Sequence, residues 1–593
     1  MRNLSFILLF FLVNLAWTQN ANLAQNYLDQ GEYEKALAVY EQLLEENPKN
    51  QKFLLGLVEA HKNLEQLQAA KKALKTYLNR PGNYPNIEVE LGYLFDQEQQ
   101  IDSAKIYYQS ALAKVSERPN YAYIVGKAFQ NYGLLNYAEE TYEIAQSIRP
   151  STNFSIELAR IYGEQSKFEK MFNNYVDIIE KNARYFKMLS PRFSDFITKD
   201  PSNKANLAFK TVLLQRNQNE PRKLYNEMLS WLFVQQGDLN LAFLQEKAIY
   251  ARSQTKQLNN IFELGQIAFE QEDYSLAKQI FKEVQVKTNQ PVLFYRSARY
   301  LLKLLQFNPE NSAETINQAY QDFFTAEKIS ALTHAIYLDW AKFMAKQLQN
   351  PVRAINLLDE VISSQIRPSQ MASTKLLKGD LLRLEGQFSQ ALLLYAQVEK
   401  LVPNSDEARE AKFKTAQTSY FQGDFDWALT QLDVLKQSVS QRMANDALEL
   451  ALHIRENSYL DSTQTDLKRV AQADLLRSQQ RYKSAIDTLK KVLESYKDVA
   501  IADEALYRLG LNFESLSNFE AAAEAYNQLV TDYPDSILAD NALFTLGLIY
   551  RDQLNATEKA KSKFEQIIFN HPDSIYFVEA REIFRTLRGD KIE

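Results

Sequence analysis

Four histidines, His61, His334, His453 and His571, are the only imidazoles in 593 residues, and the chain has no cysteine. A transition-metal site needs several such ligands close together, as in an HxxxH pair on one helical face or a CxxC turn. None of the four histidines has that spacing, so neither a metal nor a cofactor is expected. His61 falls at an aromatic position of a repeat and reads as a satisfied core residue, while His571 precedes Pro572 in a turn. Paired carboxylates can act as general acid and base on a glycosidic bond, but pairs such as Glu45 and Glu46 lie on helical surfaces and read as solvated charge. No GxSxG elbow, P-loop or GxGxxG turn is present. What remains is noncovalent chemistry. The 33 Tyr and 34 Phe can stack, fill grooves and hold a partner's apolar side chains, and the chain reads as a non-enzyme.

A ladder of small residues positions those aromatics. Ala36, Ala70, Ala104 and Ala138 recur at intervals of 34 residues, a period that implies stacked helical hairpins. Twelve residues before them stand Ala24, Val58, Gly92 and Gly126; nine before stand Tyr27, His61, Phe95 and Phe129; four after stand Tyr40, Leu74, Tyr108 and Tyr142. Two antiparallel helices approach closely only where a small side chain admits the other backbone, with bulky neighbours filling the grooves alongside. Pro48 and Pro150 end the second helix of two units, since proline lacks an N–H and disfavours helix in the residue before it.

The pattern resembles the tetratricopeptide repeat, with small residues at repeat positions 8 and 20, bulky ones at 4, 7, 11, 17, 24 and 27, and proline at 32. The resemblance implies an all-α fold: a right-handed superhelical solenoid of antiparallel helix pairs, with about 11 to 13 units. After Pro150 the register loosens through Ala159, Tyr162, Met171 and Tyr175, and no repeat can be placed on 186–222. It returns at Ala242 and at Ala277, which has Gly265 twelve residues before it. It is irregular again over about 292–330, loose around Trp340 and Ala354, and clear at Ala391 with Gly379, Tyr395 and Pro403. Ala428 and a helix-rich spacer follow. Then Ala485, Ala522 and Ala560 recur at 37 and 38 residues, with Gly510 and Gly547 in the first helices and YPDS (533–536) echoed by HPDS (571–574). The longer period predicts a longer loop, and the Asp or Ser after proline predicts a helix N-cap. The last 19 residues read as a capping helix.

With 15 Gly, 15 Pro and a mean hydropathy of −0.39, the composition suits a soluble helical protein. A net charge of −6 leaves no basic footprint for nucleic acid or anionic lipid. The first residues, MRNLSFILLFFLVNLAWTQN, combine Arg2, an apolar run from Leu4 to Leu15 and small residues at Ala16 and Thr18. This reads as a secretory signal peptide cleaved after Thr18, the alternative being an uncleaved anchor. Absence of cysteine removes disulfides and any thiol for lipid attachment. The expected location is therefore the periplasm or the periplasmic face of an outer membrane, with membrane association only through partners. The expected organisation is a signal peptide at 1–18, a repeat superhelix at 19–185, degenerate helical repeats at 186–330, further repeats at 331–457 and a long-period block with the capping helix at 458–593.

In superhelices of the resembled type the inner face is lined by positions 2, 5, 9 and 12 of each first helix. Here those offsets give Val89, Tyr93, Tyr123, Lys127 and Gln130 near the start, and Tyr507, Leu511, Phe544, Leu548 and Arg551 near the end, as candidate partner-binding residues. The carboxylate clamp of chaperone-binding members is not expected, because its positions are held by Ala21, Gln25 and Gly56. Residues 465–590, with their aromatic-Pro-Asp-Ser endings, resemble the repeat domain of BamD-like outer-membrane lipoproteins, which implies docking to envelope machinery. Those lipoproteins carry an anchoring cysteine that this sequence lacks. The expected function is a scaffold that binds other envelope proteins or peptides, in outer-membrane assembly or secretion. Two alternatives stay open: an envelope enzyme of lytic-transglycosylase type built on the superhelix, and a glycan-binding accessory protein.

Overall fold

The computed structural model describes residues 20–82, 84–151, 153–435, 441–458, 464–495 and 501–590; the expected signal peptide lies outside them. Among the described residues all regular structure is helical, including two short 3-10 segments. The chain divides into two compact units, 1–277 and 278–593, at a point inside the helix Tyr274–Lys287.

In the first unit, hairpins are built from 20–29 with Tyr33–Glu46, Gln51–Asn63 with Leu67–Leu78, Asn86–Gln97 with Ile101–Glu117, Ala122–Asn131 with Leu135–Ile148, and Ser155–Glu164 with Phe168–Lys181. The alanine ladder lies where the helices cross: Ala36, Ala70 and Ala138 have no exposed surface and Ala104 is 2% exposed. Each hairpin turn contains one left-handed residue, at Gly31, Glu65, Gln99, Gly133 and Ser166, with φ between 57° and 76°. The 186–222 stretch forms Arg184–Phe193 and Lys204–Asn219, and the second of these stacks directly on Phe168–Lys181. Its aromatic knot explains the lost register, since Phe193, buried with Phe172 and Phe209, replaces the small-residue crossing. Asn206 closes the connecting loop by donating to the carbonyls of Thr198 (2.8 Å) and Asp200 (2.7 Å).

Glycine at position 8 has a specific partner, the aromatic at position 24. A Cβ on Gly92 would meet the Tyr108 ring at 2.5 Å, on Gly379 the Tyr395 ring at 2.6 Å and on Gly547 the Phe564 ring at 2.7 Å; Gly126 against Tyr142 and Gly510 against Tyr526 leave less room still. In three hairpins a larger residue takes the glycine's place and the facing residue is a leucine, whereas Ala24 and Ala159 keep tyrosines, Tyr40 and Tyr175, opposite them. Val58 shares a buried cluster with Leu74, and Ala416 and Ala473 share one with Leu432 and Leu489.

The second unit contains Pro291–Leu304 and Ala313–Ala326, then pairs His334–Lys346 with Pro351–Ile362, Pro368–Leu384 with Phe388–Leu401, and Asp406–Gln422 with Phe425–Leu435. The spacer is one further helix, Gln441–Ser458, and the long-period hairpins follow: Thr465–Ser478 with Tyr482–Ser495, Ala502–Ser515 with Phe519–Asp532, and Ala539–Asp552 with Thr557–Asn570. Ala391, Ala485, Ala522 and Ala560 are fully buried. The terminal helix Phe577–Arg588 buries only Ala580 and ends at left-handed Gly589 (φ 87°), as a cap should.

The expected longer loop makes most of the long period: from Ala522 to Ala560 the link 533–538 holds six residues against four at 47–50 and the turn 553–556 four against three at 64–66, while the first helix adds one, 14 residues in Ala539–Asp552 against 13 in Gln51–Asn63. One local expectation is corrected. The serine of each PDS turn is not the N-cap of the next helix, which is Leu538 or Tyr576. Instead Ser536 Oγ donates to Asp503 at 2.6 Å and Ser574 Oγ donates to Asp540 at 2.7 Å, linking each turn back to the preceding first helix. Burial raises the Asp503 pKa, and the Ser536 hydroxyl partly offsets that. Ser536→Ala removes the side-chain donor to a mostly buried carboxylate and is expected to cost about 1–3 kcal/mol, measured by urea unfolding of the full chain.

Candidate functional site: the inner-face clefts

The inner-face positions converge in the first unit around Tyr93. Its ring stacks on Tyr132 at 3.8 Å, and Lys62 Nζ lies 5.7 Å from the Tyr93 centroid and 5.1 Å from that of Tyr132. The Tyr132 hydroxyl donates to Glu90 in a short hydrogen bond. Burial, then the Glu90 charge, pushes the Tyr132 phenol well above its usual pKa, and burial raises the Glu90 carboxyl as well. Three successive first helices thus share one knot of aromatic, cation and acid. Beside it opens a cleft of about 390 Å³ lined by Gln25, Leu28, Leu55, Glu59, Glu90 and Tyr132.

The residues expected to bind a partner do not form one surface. Tyr123 is 58% exposed, Lys127 is exposed and Gln130 half-buried. Val89 (0% exposed) and Phe544 (7%) are buried, so they cannot present surface to a partner. At position 5 of these two helices an apolar side chain is drawn into the packing; Phe544 stacks on Tyr576 at 4.4 Å. Tyr507 is half-buried and tilted on Tyr526, Leu511 is half-buried, and Leu548 packs against the last apolar cluster. Arg551 is engaged by Asp552 at 2.6 and 2.8 Å.

A polar network that was not expected crosses the second unit. Tyr420 Oη donates to Asp474 at 2.8 Å and lies 3.1 Å from His453 Nε2. His453 Nδ1 is 2.8 Å from Glu504 Oε1. Arg508 Nε donates to both Asp474 oxygens at 2.9 and 3.0 Å, and Arg508 Nη1 reaches Glu504 in a shorter contact. Burial opposes the Glu504 charge, yet Arg508 and His453 outweigh it and hold the carboxyl far below its usual range. Burial likewise opposes the Arg508 charge, and Asp474 and Glu504 overcome it. In the alanine register Tyr420 is position 12, Asp474 position 9 and Glu504 position 2, so the inner-face rule applied to every unit would have marked them. His453 carries no repeat signal because it belongs to the extra helix Gln441–Ser458. Tyr420 is 2% exposed, His453 4% and Glu504 6%. The network ties four helices together.

Another cleft, of about 920 Å³, lies elsewhere in the second unit, between His334–Lys346, Pro368–Leu384 and the turn after Thr465–Ser478. Gln479 Nε2 donates to the Leu384 carbonyl at 2.6 Å across it, closing one edge. Among the described residues no group of His, Asp and Glu could hold a metal ion. His61 is 8% exposed with Nδ1 at 2.9 Å from Gln66 Oε1, the satisfied core histidine expected.

Stacked helical hairpins, small residues at most crossings and clefts along the first helices define an all-α solenoid of the protein-binding scaffold class. Residues 27–88, 470–537 and 541–574 match tetratricopeptide repeat families, so these segments are tetratricopeptide repeats. One relative, the general transcriptional corepressor ssn6 of Schizosaccharomyces pombe, is 29% identical over 140 residues, which is 23% of this chain and 12% of that protein. The match thus spans about an eighth of the corepressor's length. Among solved structures, Naa15/Naa10 bound to HypK-THB has 13% identity and a TM-score of 0.32, covering 97% of this chain and 96% of that one. Yeast Tom70 has 14% identity and a TM-score of 0.26, covering 85% and 96%.

Proposed function

We propose that this protein is an exported, non-enzymatic scaffold that holds other cell-envelope proteins in the clefts along its first helices, in outer-membrane assembly or secretion. The observation that carries the reading is the convergence of inner-face side chains from successive first helices, Gln25, Leu28, Leu55 and Glu59 among them, into an open cleft of about 390 Å³, with a second open cleft of about 920 Å³ within the other unit. Such grooves suit an extended segment or a partner's helix. Export rests on the Arg2, Leu4 to Leu15 and Thr18 pattern. No helix among the described residues is long and apolar enough to cross a membrane. The placement beside assembly machinery rests on the likeness of residues 465–590 to BamD-like repeat domains.

Two measurements test this. Mass spectrometry of the chain isolated from cells is expected to find Gln19 as the first residue; an intact Met1 on a soluble chain counts against export. In-cell cross-linking of the tagged protein is expected to capture envelope proteins reproducibly. Recovery of cytoplasmic partners alone, or of a clearing band when the purified protein is run in a peptidoglycan gel, defeats the reading.

A further inference from the structure

The 920 Å³ cleft has an uneven charge pattern. Lys342 and Lys346 are one helical turn apart on His334–Lys346, and Arg481 stands on the opposite wall in the turn 479–481. All three are exposed, and none has an ion-pair partner among the described residues. The acid nearest the floor, Asp380, is already committed: it accepts from the Tyr395 hydroxyl at 2.9 Å and pairs with Lys414 at 2.5 Å. Only Glu385, exposed on the rim, opposes them. The floor is apolar, formed by Leu377, Leu381 and Leu384, which share one face of Pro368–Leu384 at i, i+4 and i+7.

We propose that this cleft docks an acidic amphipathic segment of a partner protein, its leucine-type side chains on the Leu377–Leu381–Leu384 floor and its carboxylates on Lys342, Lys346 and Arg481. Charge complementarity selects that occupant: in a chain with net charge −6, three uncommitted cations around one apolar floor disfavour a basic segment and reward an acidic one. The proposal rests on the reading of the open clefts as partner surfaces and adds the chemistry of what one of them takes.

The test uses the full chain and a fluorescein-labelled 16-residue peptide of alternating Glu-Glu and Leu-Leu pairs, with a control peptide in which every Glu is Lys. Fluorescence anisotropy is expected to show saturable binding of the acidic peptide, weakening at least tenfold between 50 and 500 mM salt. The Lys control is expected not to bind. The double variant Lys342→Glu with Lys346→Glu alters only exposed side chains and is expected to melt like the wild type while losing at least tenfold in affinity. Leu377→Ala is expected to weaken binding at least threefold without a change in the salt dependence of what remains. The site is refuted by unchanged affinity in the charge variant, by equal binding of the Lys control or by no saturation at 1 mM peptide. Self-association that the charge variant abolishes, seen by sedimentation, makes the occupant a second copy and also refutes the proposal. If envelope proteins still cross-link in cells while the peptide fails, this site falls and the scaffold reading stands.

Discussion

Arg508→Ala is expected to destabilise the second unit by about 3–5 kcal/mol, because it strips the shared cation from two carboxylates, one of them fully buried. Glu504 keeps only the His453 contact at 2.8 Å, and Asp474 keeps only the Tyr420 hydroxyl at 2.8 Å. Glu504→Gln is expected to cost less, since the charge leaves together with its desolvation. The pH dependence separates the two. The Glu504 pKa is depressed in the folded chain, while an unfolded glutamate titrates near 4.3. Its stabilisation is therefore complete above about pH 4.3 and is lost as pH falls through the folded value. Wild type is expected to lose stability steeply below about pH 4.5, and Glu504→Gln to show a shallower decline. Urea unfolding at pH 7 and across pH 3–5 reads both, and a loss under 1 kcal/mol for Arg508→Ala sinks this account.

Gly126→Val is expected to cost about 1–3 kcal/mol, since the new side chain must occupy space held by the fully buried Tyr142 ring. Alanine at the same position is expected to be milder: Ala159 faces Tyr175, 16 residues on, in an intact hairpin. The chain also supplies the compensating change. Val58 with Leu74 is a working version of the large-against-small exchange, so adding Tyr142→Leu to Gly126→Val is expected to recover at least half of the loss. Hydrogen exchange is expected to place the damage in 122–148 and the hairpins touching it, because a stacked repeat transmits strain only to its neighbours. Damage spread evenly over the first unit, or no rescue in the double variant, contradicts the pairing.

The fold was legible because backbone contact at a crossing tolerates only small side chains, and Ala36 through Ala138 repeat that demand in fixed register. The irregular stretch at 186–222 was not legible, since Phe172, Phe193 and Phe209 pack by aromatic bulk that leaves no periodic trace. The site was read less well. Position 5 does not stay on the inner face in every unit: Leu55 lines the cleft and Tyr123 is exposed, while Val89 and Phe544 are drawn into the packing. Lys342 escaped because the turn 347–350 holds one residue more than 98–100, which moves it off position 9 of the alanine register, whereas Lys346 stands at position 12 of that register and was legible there. His453 gave no signal, as its partners Tyr420 and Glu504 lie 33 and 51 residues away on other helices.

The hairpin turn bears on how such a chain can change over generations. In Ala539–Asp552 with Thr557–Asn570 the turn is one residue longer than its neighbour at 516–518, yet Gly547 still meets Phe564 and a left-handed residue, Asn555 (φ 50°), still lies in the turn. Insertions and deletions at these turns are thus absorbed on the spot, without altering the helix crossing on either side. A lineage can lengthen or trim its units one by one, erasing the period from its sequence while the contacts that hold each hairpin stay in place.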